Sequence, residues 1–462
     1  MSDWGEAELA ECQRHDVRHT QRLARLLGRL REQPVGSMPM ACHGWAETMA
    51  ASRFLHHPDI GVQEIVSGHT HATRQRLRPQ EVVLLVQDTT LLHDGPTRPQ
   101  VGMGTVKITT REESLRHLTV ALTPDRVNGG VVGLQVWQRP EEPVAQPRNS
   151  QPIAEKERSR WLDGSRSACA IPQTCPATLV VPMADRAGDS QEGLVEAMRR
   201  APDQRAAVLI RATCNRRLAP GAAQRSVWAE RQQTPALGTL PLARARQPER
   251  PPRQVTLAVT ATPVTFHGAR RPGGPLPPGA GSAVYAKALS PPQDEAPVAW
   301  WLLTRLPVRD CARACTVGHW ERCRWEIAWF FRVLQPGGQM EQGRVQPEQR
   351  FRNTLAMYVI VAWRIHTITM AGRADPTRSC AVVLEPREWH TLSTMQHHRH
   401  PPPTPPPLRE RVRSLAQLGG CFARTRDGEP GMKAIWQGYQ RLHEFISAIE
   451  TYRAINAGER NV

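Results

Sequence analysis

The sequence is poor in tyrosine and lysine and lacks the commoner catalytic signatures. Its 462 residues include four Tyr beside 13 Trp, and only four of its 60 basic residues are Lys. No apolar run approaches the roughly 18 residues that a membrane span requires. There is no Gly-Lys pair, which excludes a Walker A phosphate loop, and no G-x-S-x-G elbow. The sequence therefore offers no P-loop nucleotidase, no α/β-hydrolase and no membrane protein.

Two further features bear on the cellular compartment. The first twelve residues, MSDWGEAELAEC, are acidic and polar and do not predict a signal peptide. Ten cysteines are scattered from Cys12 to Cys421, which is typical of reduced thiols rather than of a disulfide framework. We expect a cytoplasmic protein with no membrane partner.

Positive charge is the most informative feature that is present. The formal net charge is +17, and almost all of the basic residues are Arg. Residues 201–310 alone hold 15 basic and 6 acidic residues. An Arg-rich protein whose charge is concentrated in one part of the chain is expected to bind a polyanion, most simply nucleic acid.

Hydrophobic periodicity divides the chain into helical and mixed regions. Helical patterns cover 6–32, 45–55 and 62–77, which predicts a small helical N-terminal domain. The pattern then changes to short apolar runs with turn residues between them, which predicts an α/β core. Its predicted elements are strands at 82–86, 115–122, 131–137 and 178–184 and a helix at 155–170.

The second half of the chain predicts a β-rich insertion followed by helices. Residues 201–310 are rich in Pro and Arg and carry short strand-like runs. A single helix is predicted over 311–334, because the apolar spacing continues until Pro336-Gly337-Gly338. A buried helix is predicted at 353–370, and the end of the chain, after the proline run at 401–407, is helical again.

Two aspartates are the strongest candidates for catalysis. Asp88 ends one apolar strand and Asp185 ends another. Either carboxylate alone is expected to be a cap or a surface group. If the two strands are neighbours, however, both carboxylates converge on one edge of the sheet, where they can hold Mg²⁺ for phosphodiester chemistry.

A second arrangement is weaker as a metal site. Cys311, Cys315, His319 and Cys323 are spaced by four along one predicted helix. Adjacent pairs could share an ion, but all four could not, because twelve residues of helix span about 18 Å. His397, His398 and His400 precede the proline run and are expected to lie in a solvated loop.

Ten stretches of sequence, in chain order, carry a resemblance to one family. The chain resembles bacterial insertion-sequence transposases of the DDE, cut-and-paste type. Within them it is similar to the transposon-five-like branch, which is named for a Tyr-Arg-Glu-Lys helix signature. The matching stretches are SRFLHHP at 52–58, VQDTTLL at 86–92, LQVWQRPEE at 134–142, EKERSRWLDG at 155–164, ADRAGD at 184–189, VLIRA at 208–212, WWLLTRLPV at 300–308, RCRWEIAWFFRVL at 322–334, LAMYVIVAWRI at 355–365 and LGGCFARTRDGEPGMKAIWQG at 418–438.

The resemblance implies a fold and a domain organisation. The fold class is α/β, with a ribonuclease-H-like core and a β-rich insertion, flanked by helical N- and C-terminal domains. We expect a DNA-end-binding domain at 1–78, a catalytic domain at 79–368 with the insertion at about 201–310, and a dimerisation domain at 369–462.

The resemblance also implies an activity and its participants. The activity is DNA transposition by two-metal phosphoryl transfer with Mg²⁺ or Mn²⁺. The partners are double-stranded DNA at transposon ends and a second copy of the chain. Asp88 and Asp185 fall on the first two catalytic, metal-binding carboxylates of the family.

Five residues are predicted to bind DNA. Trp300 matches a tryptophan near the flipped base at the cleavage point, and Arg211 and Arg324 match arginines that face DNA. Arg322 and Arg332 lie on the same predicted helix as Arg324 and carry further positive charge.

The signature helix itself departs from the family. The family spacing places Tyr, Arg, Glu and Lys within about 60° on one helix face. The corresponding residues in this chain are Glu321, Arg324, Ala328 and Gln335, so only the Arg is kept. The third catalytic carboxylate has become Ala328, and we therefore expect weakened metal binding and impaired cleavage.

Three glutamates are candidates to replace the carboxylate that is missing at position 328. On a continuous helix Glu326 lies about 200° around from position 328, and Glu321 lies about 10 Å along the axis. Glu341 follows Gly337-Gly338, and its position is not predictable from the sequence. Two alternatives to an impaired transposase remain open: an active transposase that uses a displaced acid, and a non-catalytic DNA-binding inhibitor of a related transposase.

Overall fold

The computed structural model of the chain describes most of its residues. They are 4–10, 16–34, 36–93, 113–138, 156–169, 171, 175–198, 207–219, 226–244, 251–268, 270–271, 274–292, 296–342, 348–422, 424 and 428–459. Arg246 of the basic insertion and the segments at 139–142 and 425–427 of the matching stretches lie outside them.

Five helices form the N-terminal part. They are α1 (Trp4–Glu8), α2 (Val17–Glu32), α3 (Met38–Ala41), α4 (Trp45–Leu55) and α5 (Val62–Leu77). The predictions for α4 and α5 are confirmed with these bounds.

The prediction of one helix over 6–32 is wrong. Asp16 has an extended backbone, and its side chain caps α2 by accepting a hydrogen bond from the Arg18 backbone N–H at 2.9 Å. The chain therefore enters α2 as a new helix, because the capping carboxylate satisfies one of its first N–H groups.

The first part of the sheet is a three-stranded meander, followed by a helix and a strand that pairs in parallel. Strands β1 (Val82–His93), β2 (Glu113–Leu122) and β3 (Asn128–Gln138) form an antiparallel meander. Helix α6 (Ser159–Cys169) leads to β4 (Leu179–Ala184), which pairs in parallel with β1. Pro182 lies inside β4 opposite Leu85.

Helix α7 (Gln191–Met198) then leads to β5 (Leu209–Arg211), which pairs in parallel with β4. The insertion contributes helix α8 and six strands. They are α8 (Val227–Gln232), β6 (Gly238–Arg244), β7 (Arg253–Phe266), β8 (Arg270–Arg271), β9 (Gly274–Pro275), β10 (Gly279–Ala288) and β11 (Ala299–Thr304).

The insertion extends the sheet of the core instead of forming a separate layer. Strand β11 pairs antiparallel with β5, and β10, β7 and β6 follow it in turn. The described residues thus form a nine-stranded sheet in the order β3-β2-β1-β4-β5-β11-β10-β7-β6, beside a two-stranded ribbon of β8 and β9.

The remaining described segments are helical. They are α9 (Cys311–Cys323), α10 (Glu326–Gln342), α11 (Glu348–Ala374), a 3₁₀ turn (Cys380–Val382), α12 (Pro386–His397), α13 (Leu408–Leu418) and α14 (Met432–Glu459).

The prediction of one helix over 311–334 is wrong, because the helix is interrupted at Arg324-Trp325. The predicted end at Pro336-Gly337-Gly338 is also wrong, since α10 continues to Gln342. The backbone N–H groups of Arg324, Trp325, Ile327 and Ala328 each donate to the carbonyl three residues earlier. This spacing tightens the turn relative to an α-helix and changes the direction in which later side chains point.

The two faces of the sheet carry different layers. Leu84 and Val86 of β1 and Met183 of β4 pack with α9, α10 and α11 in the largest hydrophobic core. Residues of opposite parity, such as Leu85 and Ile210, belong to smaller clusters on the other face. The side chains that follow Val86 and Met183 with the same parity therefore lie on the helix-covered face.

Helix α11 passes through the centre of this core. Its residues Gln349–Ala374 form a helix long and apolar enough to cross a membrane. However, 89% of the apolar 18-residue stretch within it is buried inside the protein. It is the core helix that was predicted over 353–370.

Helices α13 and α14 approach each other at glycines. A Cβ atom added to Gly438 would lie 1.7 Å from the Leu415 carbonyl oxygen, and one added to Gly419 would lie 1.8 Å from the Ala434 carbonyl oxygen. Both distances are far below van der Waals contact, so the two backbones can be this close only with glycine at the crossing.

We predict that Gly438→Ala destabilises the protein by about 2–3 kcal/mol, because overpacking forces the two helices apart. Chemical denaturation measures the change. Gly431→Ala is the matched control, since a Cβ atom there meets nothing within 4 Å. It should cost less than about 1 kcal/mol. Equal effects of the two substitutions would contradict this account of the crossing.

Candidate functional site

The parallel pairing of β1 with β4 brings two carboxylates together. In this pairing Val86 lies opposite Met183, so Asp88 and Asp185 are each two residues further along. Because side chains alternate between the faces of a sheet, both carboxylates lie on the face covered by α9 and α10. The two strands that precede the aspartates are therefore neighbours, as a shared site requires.

Burial and mutual repulsion shape the charge of this pair. Burial, followed by the nearby Asp185 carboxylate, raises the pKa of Asp88 to about 6 from an ordinary value near 3.8. The Thr89 backbone N–H donates to Asp88 Oδ1 at 2.8 Å, and the Arg324 guanidinium also opposes the rise. Asp185 Oδ1 accepts from the Ala187 N–H at 2.7 Å. Two acids in this condition favour a cation between them.

Ala328 lies on α10, the helix next to the carboxylate pair, and is half-buried. Its methyl group offers no ligand. Glu326, two residues earlier, is buried and lies 3.4 Å from Arg126 Nη1, so its carboxylate is held elsewhere. For Gln335 and Glu341 the structure describes the helical backbone but not the side chains.

Glu321, in the last turn of α9, is a further acid whose charge interacts with that of Asp185. Its side chain is 1% exposed, and its Oε1 lies 3.2 Å from Arg324 Nε and 3.7 Å from Arg211 Nη1. Burial raises the pKa of Glu321; both guanidinium groups oppose that rise, and Asp185 adds to it. Glu321 was predicted only as a possible replacement ligand; for its pairing with Arg324 the Glu-Arg spacing of three residues was the available signal.

The structure distributes the five predicted DNA-binding residues unevenly. Arg211 and Arg324 adjoin the carboxylates but face Glu321. Trp300 is 5% exposed and packs in the core. Arg322 is half-buried, while Arg332 is exposed and lies 4.7 Å over the ring of Trp329.

An aromatic cluster lies on the face of β11 opposite to Trp300, and it was not predicted from the sequence. Trp301 stacks on Trp228 with ring centroids 5.6 Å apart and contacts Tyr285 at 4.3 Å. The Arg231 guanidinium lies 4.1 Å over Tyr285. Strand alternation in the Trp300-Trp301 pair was the signal that could have indicated it, since it places one ring on each face.

The cysteine row gains no support as a metal site. Cys311 Sγ and Cys315 Sγ are 3.8 Å apart. Among the residues that the structure describes, however, no group of three or more His, Cys, Asp or Glu is arranged to hold a metal ion.

Comparison with known families identifies the two ends of the chain. A family model described as transposase DNA-binding matches residues 1–60, and one described as the transposase Tn5 dimerisation domain matches residues 360–458. At both ends the chain is therefore similar to Tn5-like transposases.

The two matched ranges coincide with the helices at the two ends of the described chain. Residues 1–60 contain α1 to α4, and residues 360–458 run from the middle of α11 through α14. The chain therefore matches a DNA-binding family at one end and a dimerisation family at the other.

A solved structure also matches this chain. It is the cryo-EM structure of a piggyBac transposase synaptic complex with hairpin DNA, at 9% sequence identity. The alignment covers 80% of this chain and 77% of that chain, with a TM-score of 0.30. A likeness at that score carries no conclusion about the fold.

The raised pKa of Asp88 leads to a prediction about stability. Since the folded protein binds this proton more tightly than the unfolded chain, the associated stability is present at low pH and lost as the pH rises through about 6. Asp88→Asn should therefore be more stabilising at pH 8 than at pH 5, by about 1–2 kcal/mol.

Denaturant unfolding of both proteins at the two pH values measures this difference. The control is Asp125→Asn, an exposed aspartate between β2 and β3. A stability difference for Asp88→Asn that is the same at both pH values would show that this carboxyl is not perturbed.

Proposed function

We propose that this Tn5-like transposase binds double-stranded DNA at transposon ends as a homodimer, and that its DNA cleavage is impaired. The proposed reaction is cut-and-paste transposition by two-metal phosphoryl transfer on a ribonuclease-H-like core. The observation that carries the proposed impairment is Ala328, which puts no carboxylate at the position on α10 that resembles the third catalytic acid.

The strand arrangement supports the ribonuclease-H-like assignment. An antiparallel meander of three strands is followed by two strands that pair in parallel, in the order β3-β2-β1-β4-β5. The first acid lies on the central strand β1 and the second follows its parallel neighbour β4. Both acids lie just beyond the pairing of β1 with β4, on the same face of the sheet.

The donor set fits a divalent cation in kind but is short in number. Carboxylate oxygens are the ligands that Mg²⁺ and Mn²⁺ prefer, and the mutual repulsion of Asp88 and Asp185 is what a bound cation relieves. Such an ion, when bound, would supply charge neutralisation at the scissile phosphate. Asp88 and Asp185 would hold it, and Ala328 adds nothing to them.

The neighbouring acids give little support to a displaced third ligand. The Glu326 carboxylate is paired with Arg126, and Glu321 Oε1 is shared by Arg324 and Arg211. Either acid would have to leave a guanidinium partner before it could bind a cation, which costs free energy in a buried site.

A homodimer is supported by the dimerisation domain and by exposed apolar side chains on its last helix. Phe445, Tyr452 and Ile455 of α14 are 43%, 69% and 57% exposed. Their spacing places them along one side of the helix, which is typical of a surface that a second copy covers.

We predict that Ala328→Glu increases cleavage of end DNA by about a hundredfold or more, since it restores a carboxylate to a site that depends on metal-bound oxygen. The assay is nicking and strand cleavage of a duplex from the DNA flanking the coding sequence, in Mg²⁺ and in Mn²⁺.

Two variants control for changes other than the added carboxylate. Ala328→Gln adds a side chain of the same size without charge and should leave cleavage at the level of the natural protein. Asp88→Asn combined with Ala328→Glu should abolish any gain. Strong cleavage by the natural protein that is lost on Asp88→Asn would show that the site is not impaired.

A further inference from the structure

Two guanidinium groups lie within electrostatic reach of the carboxylate pair. The Arg324 guanidinium opposes the rise in the pKa of Asp88, and Arg211 interacts with both Asp185 and Arg186. The side chains of Arg211 and Arg324 are 15% and 8% exposed. Arginines held beside an acidic metal site are well placed to contact a phosphate group, because their fork of N–H donors matches its oxygens.

In the free protein these donors already have an anion. Glu321 Oε1 lies between Arg324 Nε at 3.2 Å and Arg211 Nη1 at 3.7 Å. The Arg324 backbone N–H donates to the Glu321 carbonyl at 3.2 Å, so the main chain and the side chain of Arg324 are both held by this residue. The pair is fixed at the junction of α9 and α10.

The other oxygen of Glu321 is unusual. Glu321 Oε2 is buried and has no hydrogen-bond partner among the residues that the structure describes. A buried carboxylate with one oxygen unsatisfied is held by charge rather than by a complete hydrogen-bond network, and the desolvation cost weakens its net stabilisation. Such an ion pair is one that a better-matched anion can displace.

We propose that Glu321 is an internal counterion that occupies Arg211 and Arg324 in the free protein and competes there with a phosphodiester group of DNA. The inference rests on the proposed function in one respect, namely that the competing phosphate belongs to duplex DNA. It assigns Glu321 to the control of DNA affinity and not to the metal site.

The test is the affinity of the whole protein for duplex DNA, measured by fluorescence anisotropy over a range of salt concentrations. Glu321→Gln removes the charge but keeps an acceptor for Arg324. We expect its Kd to fall by about tenfold or more, and the slope of log K against log salt to steepen by about one to two, since up to two further phosphates are neutralised.

Glu326→Gln is the matched control, because Glu326 is a buried glutamate two residues beyond Arg324 that pairs with Arg126 instead. Its Kd should stay within about twofold of the natural protein. A second control is Arg324→Ala, which should weaken binding more in the Glu321→Gln background than in the natural protein.

Three results would overturn the proposal. The first is a folded Glu321→Gln protein whose Kd and salt slope equal those of the natural protein. The second is an Arg324→Ala effect that is identical in the two backgrounds. The third is loss of the fold in both Glu321→Gln and Glu321→Met while Glu326→Gln folds, which would make Glu321 a structural ion pair. Failure of the proposed function is distinguishable, since the natural protein would then bind no duplex at all.

Discussion

The parallel pairing of β1 with β4 is the constraint on which the site depends. It places Asp88 and Asp185 at the same level of the sheet, and the alternation of side chains turns both toward α9 and α10. The same alternation turns Arg211 of β5 to that face, where it meets Glu321. A shift of one residue in this register would send each of these groups to the opposite face.

Charge on this face is balanced within the protein. Burial, and after it the repulsion of the nearby Asp185 carboxylate, raises the pKa of Asp88. A third carboxylate, Glu321, lies close enough to interact with Asp185, yet two arginines hold it. The protein therefore holds arginines and carboxylates together on one face, while the helix position expected to complete the metal ligands holds Ala328.

Local sequence patterns predicted much of this arrangement. The bounds of α4 and α5 follow from apolar spacing, and Asp185 follows the end of β4 as the preceding run predicts. The prediction that Asp88 ends its strand is wrong, because β1 continues to His93 by pairing with β2. The interruption at Arg324 was not predictable, because apolar residues continue across it with helical spacing and the change to three-residue hydrogen bonds is decided by packing. The contact between Glu321 and Arg211 joins residues far apart in sequence, and no local pattern indicates it.

The position of the insertion strands also depends on long-range contacts that local sequence patterns do not predict. Their existence was predicted, but their continuation of the core sheet depends on the pairing of β11 with β5, a long-range contact. That pairing also decides which of Trp300 and Trp301 is buried. Orientation in a sheet needs the register, and the register is a property of the assembled fold.

The most direct test of the central claim is the binding of Mn²⁺ to the free protein, followed by electron paramagnetic resonance of the unbound ion. If Ala328 leaves a site with two carboxylate ligands, the natural protein binds Mn²⁺ weakly, and Ala328→Glu binds it about tenfold more tightly or better. That gain disappears when Asp88→Asn is added. Equal Mn²⁺ affinity in the natural protein and in Ala328→Glu would contradict the account, because the site would then be complete without a carboxylate at position 328.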